Sequence, residues 1–191
     1  MTTAKDKAPF HTFIAACRSA IEAQTDEATT LQAIRAALTP LLGRDDWLPE
    51  THRKPRADRY AQYPLFVSPQ GDFSVVSFVW SPGQWTPIHD HTVWGVIGIH
   101  QGVERTEAYR EGADGLVLHK TIDATVGQTG AVSPAIGDIH RVGNVSDQLA
   151  ISIHAYGGDI GRIERHVYDE QGTQKRFVSG YEPANVLLND W

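Results

Sequence analysis

This sequence has a single cysteine, no long apolar run and no excess of positive charge. Each of these features argues against a class of protein. Cys17 stands alone, so no disulfide can form within the chain, and a reducing cytoplasm is the expected compartment. The first residues lack the apolar core of a signal peptide, and no apolar run is long enough to span a bilayer. We therefore expect a cytoplasmic protein with no membrane partner.

The charge balance is acidic, with a formal net charge of −6 and a pI of about 5.8. Binding to a nucleic-acid backbone needs clustered lysines and arginines, so we expect no nucleic-acid partner. An anionic small molecule remains compatible with this balance, because one or two placed arginines suffice to bind it. The length of 191 residues allows one domain with a sizeable core and is short for two, so we expect a single domain over residues 1–191.

Residues 1–45 carry the pattern of a helical pair. Between residues 8 and 43, apolar residues recur at helical spacing in two groups, Phe10, Phe13, Ile14, Cys17, Ile21 and then Leu31, Ile34, Leu38, Leu41, Leu42. Thr25 and Asp26 interrupt the pattern and can cap the second helix, and Gly43 can end it. The charged stretch 44–60, which contains Pro49 and Pro55, is predicted to be a connection.

From residue 60 to residue 180 the pattern changes to short strands. Segments rich in β-branched and aromatic residues, separated by Gly, Pro or Asp, occur at 64–68, 73–80, 93–100, 103–109, 117–122, 149–156 and 165–168. Their spacing favours an all-β sandwich or barrel, on which the two N-terminal helices would pack. Residues 181–191 are predicted to form a surface strap.

Three of the nine histidines are candidate metal ligands. His89 and His91 lie two residues apart in a strand-like context, and residues i and i+2 of a strand point to the same face. His140 follows a turn marked by Pro134 and Gly137 that would deliver it onto a new strand. Three neutral imidazoles suit Zn, Fe, Ni or Cu.

The residues around these histidines resemble the two cupin motifs, which implies a jelly-roll-like β-barrel. Gly83, His89, His91 and Gly102 have the spacing of the first motif, and Pro134, Gly137, His140 and Asn144 have that of the second. Cupins usually supply a glutamate as a fourth ligand, and that position is Gly95 here. Glu104 and Glu107 lie beyond the motif and are expected to be strand-surface residues. A site without a carboxylate keeps the full charge of a divalent metal and favours anionic ligands.

The segment 149–156 alternates between an apolar set and a polar set. Ser152, His154 and Tyr156 share one face of the predicted strand, and this face has the composition of a hydrogen-bond relay. The alternative is a polar face that is simply exposed to water.

The combination of HDHTVWG, PAIGDIHRVGN and SIHAYGG resembles the thiol dioxygenases, the cysteine dioxygenase branch of the cupins, over residues 60–165. The resemblance implies that His89, His91 and His140 hold Fe(II) and that Ser152, His154 and Tyr156 form the relay. It further implies that a substrate thiolate binds the iron and that both atoms of O₂ are added to the sulfur, giving a sulfinate.

Three positions refine this resemblance. Animal cysteine dioxygenases have a cysteine, crosslinked to the relay tyrosine, at the position of Gly95, and this crosslink cannot form here. They also hold the substrate carboxylate with an arginine where this chain has Gln62, a residue that resembles the branch preferring 3-mercaptopropionate. That branch carries an arginine nine residues after the relay tyrosine, here Arg165, with Arg162 as a nearby alternative. Tyr156 is a further candidate for contacting the carboxylate.

Other interpretations stay open at this point. L-cysteine, cysteamine and mercaptosuccinate are alternative substrates. A cupin isomerase, a quercetinase-like dioxygenase or a small-molecule sensor would be an alternative class, although the first two usually keep the glutamate that Gly95 replaces. The sequence does not indicate an oligomeric state or a role for His100, His119 and His166.

Overall fold

The computed structural model describes residues 6–188, in which two helices precede eleven antiparallel strands. The helices are α1 (Ala8–Glu22) and α2 (Glu27–Leu38), and short 3₁₀ turns follow at Thr39–Leu41 and Glu50–His52. The strands are β1 (Ala61–Val67), β2 (Ser74–Trp80), β3 (Ile88–His89), β4 (Gly95–Gln101), β5 (Val103–Gly112), β6 (Gly115–Thr125), β7 (Thr129–Val132), β8 (His140–Asn144), β9 (Ala150–Tyr156), β10 (Arg165–Tyr168) and β11 (Gln174–Phe177).

The strands form two sheets that enclose the interior of a barrel. One sheet has the order β1-β2-β9-β4-β7 and the other the order β11-β10-β3-β8-β5-β6. Side chains from both sheets line a common internal cavity, which is the arrangement of a cupin barrel. The predicted fold class, an all-β cupin barrel with N-terminal helices, is confirmed.

The two helices cover the outer face of the first sheet. Asp26 caps α2, as predicted, by accepting a hydrogen bond from Thr29 N at 3.0 Å. The helices bury Phe10, Phe13, Ile14, Leu31, Ile34 and Leu38 against side chains of β2, β4 and β9. The approach is close at Gly98 of β4, where a Cβ would lie 2.8 Å from Leu38 Cδ2.

This cover explains why β9 is buried on both faces. Ile151, Ile153 and Ala155 point outward into the core beneath the helices. Alternation along the strand therefore turns Ser152, His154 and Tyr156 into the barrel. The predicted polar face is buried, so its polar atoms require partners within the protein.

The sequence patterns do not indicate two of the shorter strands. β7 has only four residues, and β11 has the polar sequence QKRF, so neither carries an apolar alternation. Neighbouring strands in the sheets supply the hydrogen bonds that define them.

Residues 181–188 run beside β1. Leu187 N donates to Leu65 O at 2.8 Å, and the side chains of Leu187 and Leu188 are buried in the core. Residues 189–191 of the predicted strap lie outside the described residues. Over residues 6–188, no helix has the length and apolar character needed to cross a membrane.

Candidate metal centre

Three buried histidines converge inside the barrel. His89 ends β3, His140 begins β8 directly opposite it, and His91 lies just beyond β3. One nitrogen from each of the three rings lies within 4.8 Å of the others. The ring centroids are 4.8–4.9 Å apart. Such a set can hold one metal ion.

The ring orientations of two of these histidines are fixed from behind. His89 Nδ1 donates to Pro87 O at 3.0 Å, and His91 Nδ1 donates to Asp138 Oδ1 at 2.8 Å. Each bond leaves the Nε2 lone pair free for a metal. His140 Nδ1 is buried and has no hydrogen-bond partner among the described residues.

The three imidazoles are held in their neutral form. Burial lowers the pKa of His89 to about 4 and holds the pKa values of His91 and His140 well below the ordinary value. Mutual repulsion between their charged forms lowers the pKa values of His91 and His140 further. Because a metal binds the neutral imidazole, the donor set fits a divalent transition ion.

The position of His91 depends on Asp138 more than on strand alternation. Asp138 Oδ2 accepts from the backbone N–H groups of His91 and Thr92, at 2.9 Å each, while Oδ1 accepts from the His91 ring. Because β3 ends at His89, the expectation that both histidines lie on one face of a strand is wrong. Their rings nevertheless converge on one point, as the metal-site prediction requires. Asp138 was not predicted as a site residue, because its only signal in the sequence is its place two residues before His140.

Asp90, between the two histidines, is also anchored. Its carboxylate accepts from the backbone N and the Nδ1 of His166, at 2.8 and 2.9 Å, and from the Tyr168 hydroxyl at 2.7 Å. His166 thus fixes the HDH turn to β10. His100 packs edge-on against Trp47, and His119 is exposed on β6.

Gly95 leaves no room for the carboxylate that cupins usually place there. A Cβ on Gly95 would lie 2.9 Å from Tyr156 Cε1 and 3.1 Å from Val132 Cγ2. The Tyr156 ring also lies nearly parallel to that of His91, with centroids 5.5 Å apart. The relay tyrosine therefore occupies the space in which a fourth protein ligand would begin.

The predicted relay residues form a continuous chain of hydrogen bonds. The Tyr156 hydroxyl lies 2.8 Å from His154 Nδ1, and His154 Nε2 lies 2.8 Å from Ser152 Oγ. Trp80 Nε1 donates to Ser152 Oγ at 3.2 Å. Burial lowers the pKa of His154 to about 3 and raises that of Tyr156 above its ordinary value.

The chain of hydrogen bonds continues from Ser152 to Glu104, for which the predicted position was wrong. Glu104 was expected on the strand surface, yet it is 2 % exposed and accepts a hydrogen bond from Ser152 Oγ at 2.7 Å. Desolvation raises the pKa of its carboxyl to about 7, against the lowering effects of Ser152 and Trp80. Glu107 lies on the opposite face of β5 and pairs with Arg141 at 2.6 Å.

Almost all the predicted site residues line one small cavity. Its volume is about 30 Å³, and the predicted residues on its wall are Gln62, His89, His91, His140, His154, Tyr156 and Arg165. Ser152 lies behind His154. An outer cavity of about 380 Å³ shares Tyr60, Gln62, Pro87 and Phe177 with it, so the two cavities adjoin and the outer one offers a substrate entrance to the inner one.

Among the described residues, Arg165 is the one arginine on the wall of the inner cavity. Its guanidinium lies 4.7 Å from the centre of the Phe177 ring, and its Nη2 donates to Ser179 Oγ at 2.7 Å. Its Nε is buried and has no partner within residues 6–188. Gln62 Nε2 donates to the same serine hydroxyl at 3.1 Å, so Gln62 and Arg165 are coupled through Ser179. Arg162, the alternative, has an 88 % exposed side chain.

The barrel holds three converging histidines and has no room at Gly95 for a carboxylate ligand. These features define the class of this protein, a cupin-fold protein with a candidate metal centre. Comparison with known families then gives the narrower assignment. The model of the family "cysteine dioxygenase type I" matches residues 50–171, and the chain belongs to that family.

Solved structures resemble the chain only distantly. A conserved protein with a double-stranded β-helix domain from Klebsiella pneumoniae has 14% identity and a TM-score of 0.48, over 61% of this chain and 91% of that one. A cupin superfamily protein from Desulfitobacterium hafniense has 14% identity and a TM-score of 0.46, over 62% and 96%. An oxalate oxidase solved with the substrate analogue glycolate has 16% identity and a TM-score of 0.47, over 58% and 57%. These likenesses are too distant to inform the chemistry of this chain.

Proposed function

We propose that this chain is a non-haem iron(II) dioxygenase that oxidises the sulfur of a small thiol carboxylic acid to a sulfinate, with 3-mercaptopropionate as its favoured substrate. Membership of the cysteine dioxygenase type I family supports thiol oxidation. The observation that carries the proposal is the pairing, in one small cavity, of a three-histidine centre with a buried arginine. His89, His91 and His140 would hold the iron.

The charges around the cavity favour a substrate with two negative groups. An iron(II) ion bound by three neutral imidazoles would stabilise a substrate thiolate and bring it close to O₂. Arg165 supplies a second positive charge, and its unpartnered Nε can donate to a substrate carboxylate. The volume of the cavity favours a small molecule.

The choice of 3-mercaptopropionate over L-cysteine rests on the missing partner for an amine. Among the described residues that line the inner cavity there is no aspartate or glutamate. The ammonium group of cysteine would enter a positively charged site without a carboxylate to receive it, and burying such a charge is costly. 3-Mercaptopropionate has the same thiol and carboxylate without the ammonium.

Gln62 contributes to substrate binding chiefly through Ser179. Its amide holds the serine hydroxyl, which in turn accepts from Arg165. Tyr156 lines the cavity, and its hydroxyl would exchange a proton or a hydrogen bond with the substrate. Ser152 and His154 orient that hydroxyl. A reducing cytoplasm suits a free thiol substrate and a chain with a single cysteine.

O₂ consumption by the iron-loaded protein tests the proposal. We expect uptake and sulfinate formation with 3-mercaptopropionate, and a kcat/KM at least about tenfold higher than with L-cysteine or cysteamine, because a tenfold ratio corresponds to about 1.4 kcal/mol of binding. His140→Ala should lose iron, whereas exposed His119→Ala should retain it. No uptake with any thiol by protein that contains stoichiometric iron would contradict the proposal. A higher kcat/KM with L-cysteine would support the dioxygenase activity but contradict the proposed preference for 3-mercaptopropionate.

A further inference from the structure

We propose that Glu104 is the proton acceptor at the far end of the Tyr156–His154–Ser152 relay, and that it carries the proton released by the substrate thiol to a second cavity, away from the substrate entrance. The proposal rests on the thiol dioxygenase function proposed above. It adds a fourth member to the relay and a direction to proton movement.

The single proton of the Ser152 hydroxyl limits the relay to two arrangements. Ser152 can donate either to Glu104 or to His154, and it accepts from the other neighbour. An ionised Glu104 cannot donate, so Ser152 donates to it and His154 Nε2–H donates to Ser152. His154 Nδ1 then carries no proton and accepts from the Tyr156 hydroxyl.

A protonated Glu104 reverses every bond in the chain. Its carboxyl proton is donated to Ser152 Oγ, Ser152 donates to His154 Nε2, and His154 Nδ1–H donates to the Tyr156 oxygen. The Tyr156 proton is then free to point into the substrate cavity. The state of Glu104 thereby sets the hydrogen-bonding role of Tyr156 through Ser152 and His154.

The two arrangements are the start and the end of one proton transfer. The thiol proton moves to Tyr156 Oη, the Tyr156 proton to His154 Nδ1, the Nε2 proton to Ser152 Oγ, and the Ser152 proton to Glu104. Each residue gains one proton and loses one, except Glu104, which becomes neutral. The overall reaction, R–SH + O₂ → R–SO₂⁻ + H⁺, releases one proton, and O₂ is the oxidant, so the transfer balances.

The surroundings of Glu104 suit a group that exchanges a proton. Burial raises its pKa to about 7, so it can both accept and release a proton near neutrality. Around it, Ser152 and Trp80 supply hydrogen bonds, while Ile97 and Ile99 of β4 are apolar. Within the described residues of the same cavity wall, the other titratable groups are Asp123, paired with Arg105 at 2.6 Å, and His140.

A second cavity gives Glu104 its own connection. This cavity has a volume of about 220 Å³ and lies between β4 and β7 of one sheet and β5 and β6 of the other. Glu104 is on its wall, and of the residues that the structure describes only His140 and Val142 line both this cavity and the substrate cavity. Its volume can hold several waters, and waters beside Glu104 can take the proton onward.

The tautomer of His154, measured by ¹⁵N NMR on metal-free protein, tests the proposal without catalysis. Between about pH 5.5 and pH 9 the His154 ring is neutral, because burial keeps its pKa at about 3. The ring should carry its proton on Nδ1 at the acid end and on Nε2 at the alkaline end. In Glu104→Gln the tautomer should not depend on pH, since glutamine cannot ionise. Glu107→Gln, on the same strand, should behave as the wild type.

A wild-type tautomer that does not change with pH would overturn the proposal, and so would the same change in Glu104→Gln. The wild-type titration requires no variant, so a misfolded Glu104→Gln would not prevent the test. It also requires no turnover, so a protein that oxidises no thiol would contradict the proposed function and leave this result standing.

Kinetics of the iron-loaded protein provide the second test. Glu104→Gln should lower kcat at least about tenfold, in the range of general acid–base effects, with KM for 3-mercaptopropionate within about twofold. Its kcat profile should lose the ionisation near neutral pH, which Glu104→Asp should retain. Unchanged kcat and an unchanged profile in Glu104→Gln would show that Glu104 has only a structural role.

Discussion

Gly95 on β4 and Tyr156 on β9 are partners in adjacent strands, and a Cβ on Gly95 would lie 2.9 Å from Tyr156 Cε1. The ring that carries the relay hydroxyl thus fills the space in which the side chain of a fourth metal ligand would start. The missing carboxylate at position 95 and the place of the tyrosine beside the three histidines therefore have the same structural cause. With the Tyr156 ring in this position, a side chain at position 95 would fit only if the ring moved.

Gly95→Ala should displace the Tyr156 ring without removing a metal ligand. We expect an overpacking cost of about 1–3 kcal/mol in the free energy of unfolding, and a lower kcat at unchanged iron content. Urea denaturation, metal analysis and O₂ uptake measure the three quantities. Gly130→Ala on neighbouring β7 is the matched control, because a Cβ there meets no atom within 4 Å. Equal kcat for Gly95→Ala and wild type would show that the ring position is unimportant.

Asp138→Asn should weaken metal binding although Asp138 is not itself a predicted ligand. Its carboxylate fixes the His91 ring and two backbone N–H groups, and loss of such outer hydrogen bonds typically lowers metal affinity about 10–100-fold. Competition with a chelator measures the change. Asp123→Asn, which removes a surface partner of Arg105, should leave the affinity unchanged. Wild-type affinity in Asp138→Asn would mean that His91 is held by other contacts.

Arg165→Ala should discriminate between thiols that have a carboxylate and thiols that lack one. Because Arg165 would bind the carboxylate, we expect KM for 3-mercaptopropionate to rise about tenfold or more, as expected for a lost charge-assisted hydrogen bond, and KM for cysteamine to change little. Arg162→Ala, at an exposed side chain, is the control. An equal rise in KM for both thiols would show that Arg165 does not bind the substrate carboxylate.

Glu104 should make the protein less stable as the pH rises. Its pKa is about 7 in the fold against 4.5 for the ordinary group, so the folded state holds a proton that the unfolded state has lost. The stability contribution of neutral Glu104 is therefore complete below about pH 4.5 and is lost by about pH 7, a change of roughly 3 kcal/mol. Urea unfolding of metal-free wild type and Glu104→Gln measures it. The variant should gain stability relative to wild type between pH 5 and pH 8, and a constant difference would contradict the pKa shift.

Much of the site could be predicted from local patterns. The alternation of a strand brings Ser152, His154 and Tyr156 to one face, and β9 retains this alternation because it is a central strand of its sheet. The spacing of the two cupin motifs indicated His89, His91 and His140. These predictions concern residues whose neighbours in sequence already define which way they point.

The prediction that Glu104 lies on the strand surface was wrong for a physical reason. Both faces of β5 are polar, with Glu104 and Thr106 on one side and Arg105 and Glu107 on the other, so periodicity does not distinguish the interior face. A buried carboxylate is also costly, which makes an exposed position the sensible expectation for any glutamate. Hydrogen bonds from Ser152, 48 positions along the chain, and from Trp80 make its burial tolerable.

By itself, the sequence determined the two helices, most of the strands, the three candidate metal-binding histidines and the face shared by Ser152, His154 and Tyr156, because these follow from periodicities and spacings within short segments. Tertiary structure decided which outer residues hold them: Asp138 behind His91, Ser179 between Gln62 and Arg165, and Glu104 beyond Ser152. It also decided that the Tyr156 ring fills the space beside Gly95. Each of these relationships joins separate segments of the chain, and their contact depends on how two sheets close into one barrel.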